Sequence, residues 1–352
     1  MPACPPAAIV PPHPMLASIE PIAWLARRDG TAVIGHGPFE ERATPPPATT
    51  AFFRQDFALN DPKPWKIPAS TRVIPAAGLP ALFPSCQLPA ISWQSPDASQ
   101  FSEVFQEALN SIQAGIFEKS VPVVTEAGSA NSNPGPAIAA AMTRKSAPLH
   151  SYGWIENGCG FAGATPELLV SLNGRHLETM ALAGTARSED QDVFAVDEKE
   201  IREHEYVAQT LVSKLLDLGK LHRHSREILD LGQLVHFLTS FHLDLDEPAD
   251  PAKLVRRLHP TPALGPLPRT HGTLEQLLRW RQRLLCPTEF GAPFGVSQNN
   301  RFEAIVAIRG IWWSGNRLSI PAGCGLIEAS RLVNEWRELR LKREAVKHCL
   351  RS

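Results

Sequence analysis

Near the C-terminus, Pro321-Ala-Gly-Cys-Gly-Leu-Ile-Glu328 leads into Asn334-Glu-Trp-Arg-Glu-Leu-Arg-Leu-Lys342. Gly323 and Gly325 let backbone N–H groups approach an anion. In helical register Glu335, Glu338 and Lys342 stand at i, i+3 and i+7 on one face, beside an apolar stripe of Trp336, Leu339, Val346 and Leu350. Carboxylates at the margin of a core suit a hard cation such as Mg²⁺, and a lysine one turn on suits an anion held beside it. A surface helix laced with charge pairs has the same pattern. The segment Asp197-Glu-Lys-Glu-Ile-Arg-Glu-His repeats the theme, because Glu200 and Glu203 share a face beside Val207, Leu211 and Leu215. Early carboxylates also complement a helix dipole. Two such helices facing each other would complete a Mg²⁺ site.

Four further positions carry chemical potential. Lys119 stands among apolar neighbours in Ile116-Phe-Glu-Lys-Ser-Val-Pro-Val-Val, where desolvation lowers an ammonium's pKa towards that of a base; an edge-strand lysine facing solvent is the alternative. Glu167 follows the small-residue segment Gly163-Ala-Thr-Pro, where a ligand can lie against backbone, although a lone glutamate there also fits a solvated strand end. His259-Pro-Thr-Pro-Ala-Leu-Gly-Pro-Leu-Pro-Arg269 is a proline-stiffened loop presenting His259 and Thr261. Arg309 shares a strand face with Ile305, Ala307 and Ile311, and a guanidinium on an apolar face needs an anionic partner.

The elements that must position these residues are legible in part. Phe101, Val104, Phe105, Leu109 and Ile112 predict a helix from near Asp97 to Gly115, with a strand through Lys119 after it. Residues 137–142 read as a short helix. Residues 160–185 read as a hairpin around Asn173-Gly174, a type I′ turn pair. A long helix runs from Asp197 to about Leu218, a strand covers Leu231–Leu238, helices lie around Leu254 and over 273–285, and one strand covers 303–313. Residues 1–95 hold more than half of the 33 prolines, with strands such as Pro21–Ala26 and Thr71–Ile74 between breaks, and read as an N-terminal subdomain on a 96–352 domain.

Composition excludes several classes. The chain of 352 residues is 43% hydrophobic and 20% charged, with net charge −1, which leaves no electrostatic footprint for nucleic acid or a membrane surface. The six cysteines are scattered, without metal or disulfide spacing, and read as reduced thiols. The opening Met1-Pro-Ala-Cys-Pro-Pro lacks a basic leader, and no apolar run approaches a membrane span, so a soluble cytoplasmic protein acting on a small polar ligand is expected.

In order along the chain, Gly163-Ala-Thr-Pro-Glu167, Leu182-Ala-Gly-Thr185, Glu203-His204, His259-Pro-Thr-Pro-Ala-Leu264, Ala307-Ile-Arg309, Gly323-Cys-Gly325 and Glu335-Trp-Arg-Glu338 with Lys342 resemble the chorismate-utilising enzymes over residues 97–350. The resemblance implies an α+β fold: two mostly antiparallel sheets packed face to face, helices outside, the site between them. It also implies chorismate as substrate and Mg²⁺ held by Glu203 and Glu338 with Glu200 and Glu335. Gly184, Thr185, Ala263, Leu264, Arg309, Gly323, Gly325 and Lys342 would contact the substrate. Lys119 would be the base for a water attacking C2, and Glu167 the acid for the hydroxyl leaving C4, with His259 assisting.

Within the family, ammonia-using anthranilate enzymes typically carry glutamine where this chain has Lys119, and aminodeoxychorismate synthases often carry lysine where it has Ala183. The resemblance is thus closest to the isochorismate synthases, with no glutamine amidotransferase partner expected and, as in many water-using members, a monomer. A salicylate synthase, which also eliminates pyruvate, and a silent chorismate-binding protein are the alternatives. Menaquinone, siderophore and salicylate routes all remain open. Departures from the family pattern are Val123-Val-Thr-Glu126 where an arginine is usual, Pro122 within the strand, and Pro266 where glycine is common.

Overall fold

The computed structural model describes residues 20–45, 49–83 and 87–351; the leading Met1–Pro6 stretch, Cys4 and Cys86 lie outside them. The first strands are β1 (Ile22–Ala26), β2 (Thr31–Arg42), β3 (Ala51–Arg54), β4 (Trp65–Pro75), β5 (Ile91–Gln94) and β6 (Val123–Ala130). Next come β7 (His150–Glu156), β8 (Cys159–Thr165), β9 (Leu168–Asn173), β10 (His176–Arg187), β11 (Gly219–Arg223) and β12 (Glu227–Asp230). The last are β13 (Leu234–Leu245), β14 (Pro293–Gln298), β15 (Arg301–Val306), β16 (Gly310–Ser314) and β17 (Arg317–Gly323). The helices are α1 (Ala98–Gln113), α2 (Gly135–Thr143), α3 (Gln191–Phe194), α4 (Glu198–Leu215), α5 (Pro251–Leu258), α6 (His271–Arg283) and α7 (Leu332–Arg351).

All the strand pairings are antiparallel and form two ladders. One runs β5-β6-β17-β16-β8-β7-β1-β2, the other β3-β14-β15-β9-β10-β13, with β11 and β12 both on the far side of β13. The strand β4 pairs with β2 and with β3, so hydrogen bonds make the ladders one continuous sheet folded on itself. Where the ladders face each other, aromatic side chains fill the space: Phe161 of β8 meets Phe294 of β14 edge-on at 5.5 Å, and Tyr152 of β7 lies 6.0 Å from the same ring. The expected pair of facing antiparallel sheets is thus found, joined along one edge.

Local chemistry explains the helices. The Asp97 carboxylate accepts from Ser99 N–H and that of Asp197 from Glu200 N–H, each capping a helix start, while Gly115 at φ +72° follows the end of α1. Their apolar stripes dock outside the ladders, α4 on β10 and α7 on β17. The two acidic helices therefore belong to opposite ladders. Among the described residues no helix is long and apolar enough to cross a membrane.

Three expectations change. The run through Lys119 is not a strand: Pro122 delays β6 until Val123, and Lys119 makes an isolated bridge to Leu267. The 160–172 arm of the hairpin splits at Pro166-Glu167, so that β8 pairs in the first ladder and β9 pairs with β10 in the second. The 303–313 strand also breaks, at Arg309, whose φ of +57° ends the extended run between β15 and β16. Both breaks are crossings between ladders.

Candidate active site

Glu167 and Arg309 sit at those two crossings, which are tied together: Val306 N–H donates to Glu167 O at 3.0 Å and Ala164 N–H to Arg309 O at 3.2 Å. Breaking two strands at adjacent points opens a cavity between the ladders. Its lining includes Glu167, Gly184, Thr185, Ala263, Leu264, Arg309, Gly323, Gly325, Glu203 and Lys342, which gathers every expected substrate contact. The glycines have steric reasons. A Cβ on Gly325 would fall 1.9 Å from Glu203 Oε1, and Gly184 holds φ +77° beside Glu200 Oε2.

Glu167 is 3% exposed, and among the described residues its carboxylate accepts one hydrogen bond, a long 3.4 Å one from the Thr261 hydroxyl. Burial raises its pKa to about 7 against the opposing pull of Lys119, Thr261, Lys342 and Arg309. Lys119 is fully buried, held between two segments: Leu267 N–H donates to Lys119 O, and Leu326 N–H to Ser120 O. Its Nζ donates to the Pro262 carbonyl and lies 3.4 Å from Glu203 Oε1. Burial lowers its pKa, and Glu203 opposes that shift without cancelling it. Lys119 does not line the cavity itself; it stands behind Glu203.

His259 does not fit its expected role. Its Nε2–H donates to Phe57 O at 2.8 Å with the ring edge-on to Phe57, and it does not line the cavity. Burial drives its pKa down to about 3, so the ring is neutral and fixes the loop, while the polar group that reaches Glu167 comes from Thr261. His236 was missed. Its Nδ1–H donates to Gly184 O at 2.7 Å, and its Nε2 accepts from Arg309 at 2.8 Å, which fixes the neutral tautomer and aims the guanidinium. Burial holds the His236 pKa well below the ordinary value, and it brings Arg309 down to about 10. The sequence signal was a histidine between Val235 and Phe237 in an apolar strand.

Of the four carboxylates expected to bind metal, three, from α4 and α7, meet around the ammonium of Lys199, and the fourth, Glu338, pairs with Lys342. Lys199 Nζ is 2.8 Å from Glu200 Oε1 and 3.3 Å from both Glu203 Oε2 and Glu335 Oε1. Lys342 Nζ donates to Glu338 Oε1 at 2.5 Å and to Gly323 O at 2.9 Å. Burial and neighbouring carboxylates push Glu200 to about 7 and Glu335 to about 8. Glu203 also feels burial, but Lys119, Lys199 and Lys342 outweigh it and lower its pKa. Among the described residues no three such ligands stand ready around one point. The donor set nevertheless suits a hard divalent cation: all donors are carboxylate oxygens, and Glu335 Oε2 is buried without a hydrogen-bond partner among the described residues.

Comparison with known proteins agrees with this geometry. A family model described as a chorismate binding enzyme matches residues 82–351. The isochorismate synthase EntC of Escherichia coli is 29% identical over 201 residues, covering 53% of this chain and 50% of that one. The salicylate biosynthesis isochorismate synthase of Pseudomonas aeruginosa is 27% identical over 266 residues, 71% of this chain and 54% of its own. This chain thus spans about half the length of the curated relatives it matches. Among solved structures, the menaquinone-specific isochorismate synthase MenF of Escherichia coli superposes with TM-score 0.76 at 19% identity, covering 95% of this chain and 89% of that one. Anthranilate synthase component I of Streptococcus pneumoniae gives 0.66 at 14%, covering 94% and 91%. With the family match running through every segment that builds the cavity, the chain belongs to the chorismate-binding enzymes.

Proposed function

We propose that the protein is an isochorismate synthase, an isomerase that moves the hydroxyl of chorismate from C4 to C2. The observation that carries this reading is the pair of buried groups with opposite shifts, Glu167 on the cavity wall raised to about 7 and Lys119 lowered directly behind the cavity-lining Glu203. A neutral Lys119 has two N–H bonds and one lone pair. The Pro262 carbonyl and Glu203 can accept both hydrogens, which leaves the lone pair to take a proton from a water. That water attacks C2 as the ring double bond shifts, and protonated Glu167 gives its proton to the hydroxyl departing from C4. Arg309, aimed by His236, and Lys342 bind the substrate's carboxylates.

Glu203 and Glu338, with Glu200 and Glu335, would hold Mg²⁺, which when bound neutralises carboxylate charge of the substrate. Water as nucleophile requires no glutamine amidotransferase partner. The reading includes a cytoplasmic setting; among the described residues Cys159, Cys286 and Cys324 form no disulfide.

The test is product analysis with chorismate and Mg²⁺ beside Lys119→Ala and Glu167→Gln. Isochorismate alone, reduced by about 10²-fold or more in each variant, is expected. Salicylate with equimolar pyruvate would replace this reading with a salicylate synthase, and unchanged chorismate with intact binding would leave a silent binder.

A further inference from the structure

Lys199 is a charged group for which the proposed reaction has no use, and it stands where the cation of that reaction belongs. It contacts three of the four carboxylates, drawn from both helices: Glu200 and Glu203 on α4, and Glu335 on α7. The other two lysines have separate stations. Lys119 lies on the inner side of Glu203, and Lys342 is anchored by Glu338 and the Gly323 carbonyl at the substrate cavity. Lys199 faces outward. Its side chain is 20% exposed against 8% for Glu203 and 1% for Glu335, and it lines a separate open cavity of about 580 Å³ with Glu200, Glu335, Glu338, Asp190 and Asp197.

We propose that Lys199 is a tethered placeholder: its ammonium neutralises the carboxylate cage in the metal-free protein, and a divalent cation binds by displacing it into the outer cavity. This rests on the reading that these carboxylates hold Mg²⁺. Two physical points carry it. An ammonium and a divalent ion cannot share the same oxygens at about 3 Å without strong repulsion in a partly dry site. Four crowded carboxylates with no cation would in turn repel one another, and a resident lysine removes that cost while Mg²⁺ is absent. Lys199 has the means to leave, because it stands in the first turn of α4 on a flexible stem, and the outer cavity offers the Asp190 and Asp197 carboxylates as alternative company. Metal binding is then an exchange, and its apparent affinity is lower than that of the bare cage.

The experiment is binding on substrate-free, full-length protein: Mn²⁺ titration read by electron paramagnetic resonance of the free ion, Mg²⁺ titration by calorimetry, and Tm in chelator and in metal. Lys199→Met is expected to bind either ion at least about tenfold more tightly than wild type. Its Tm should fall in chelator and recover with metal by a larger step than wild type shows. Lys199→Arg, which keeps the cation, should bind no more tightly than wild type. Lys199→Gln takes the place of Lys199→Met if the latter lacks a native circular dichroism spectrum. Unchanged or weaker metal binding in the neutral variants, with wild type binding normally, overturns the placeholder alone. No binding by wild type or any variant overturns the metal reading and the placeholder with it.

Discussion

At the scale of single residues, environment assigns the roles. Glu167 and Glu338 are both glutamates near the cavity, but among the described residues Glu167 has no cation within ion-pair distance and one long hydrogen bond, whereas Glu338 is paired with Lys342 at 2.5 Å. Burial without a partner makes Glu167 a proton donor near neutrality. With a pKa of about 7, its protonated fraction falls as pH rises through that value. The pH profile of kcat/KM should therefore descend on its alkaline side from near 7, and Thr261→Val should move that limb to higher pH. The sign follows from the Thr261 hydroxyl, which favours the charged carboxylate, so its removal raises the pKa further. A limb unmoved in Thr261→Val would assign the titration to another group.

At the scale of elements, the site depends on α4 and α7 holding their carboxylates in register from opposite ladders. The α7 helix is tied to β6 by a buried cluster: Arg343 Nε donates to Glu126 Oε2 at 3.2 Å, and Lys347 Nζ to Glu126 Oε1 at 2.5 Å. Glu126→Ala leaves two cations without their shared partner, one of them deeply buried, and should cost about 3–5 kcal/mol, measured by urea unfolding. A cost below about 1 kcal/mol would mean that the cluster behaves like a surface pair. On α4 the close approach of Gly325 matters. Gly325→Ala places a methyl against Glu203 and should weaken Mg²⁺ binding by calorimetry about tenfold or more, with the circular dichroism spectrum retained.

At the scale of the whole molecule, the described strands of the proline-rich N-terminal region are woven into the rest. β1 pairs with β7, β3 with β14 and β5 with β6. A fragment of residues 96–352 exposes those edges and part of the core between the ladders, so it should fail to unfold cooperatively and should aggregate; a sharp unfolding transition in the fragment would instead establish 96–352 as an autonomous domain. The sequence by itself determined the ordered motifs and hence the family, through which alone the facing antiparallel arrangement was implied. It also determined both acidic helices and a hairpin at Asn173-Gly174, although Asn173 ends β9 and the two turn residues are Gly174 and Arg175, with only Gly174 at positive φ. These are legible because periodicity, caps and turn residues act over a few positions. It also singled out Lys119 and Glu167, whose charges are conspicuous in apolar or small-residue surroundings. Tertiary structure alone decided that strands break at Glu167 and Arg309, because both breaks are crossings whose partners lie far along the chain. It decided that His259 turns to the Phe57 carbonyl, that His236 aims Arg309, and that Lys199 stands among carboxylates from two helices. A side chain's partner depends on which distant groups the folded sheet brings within about 3 Å, and local spacing carries no record of that.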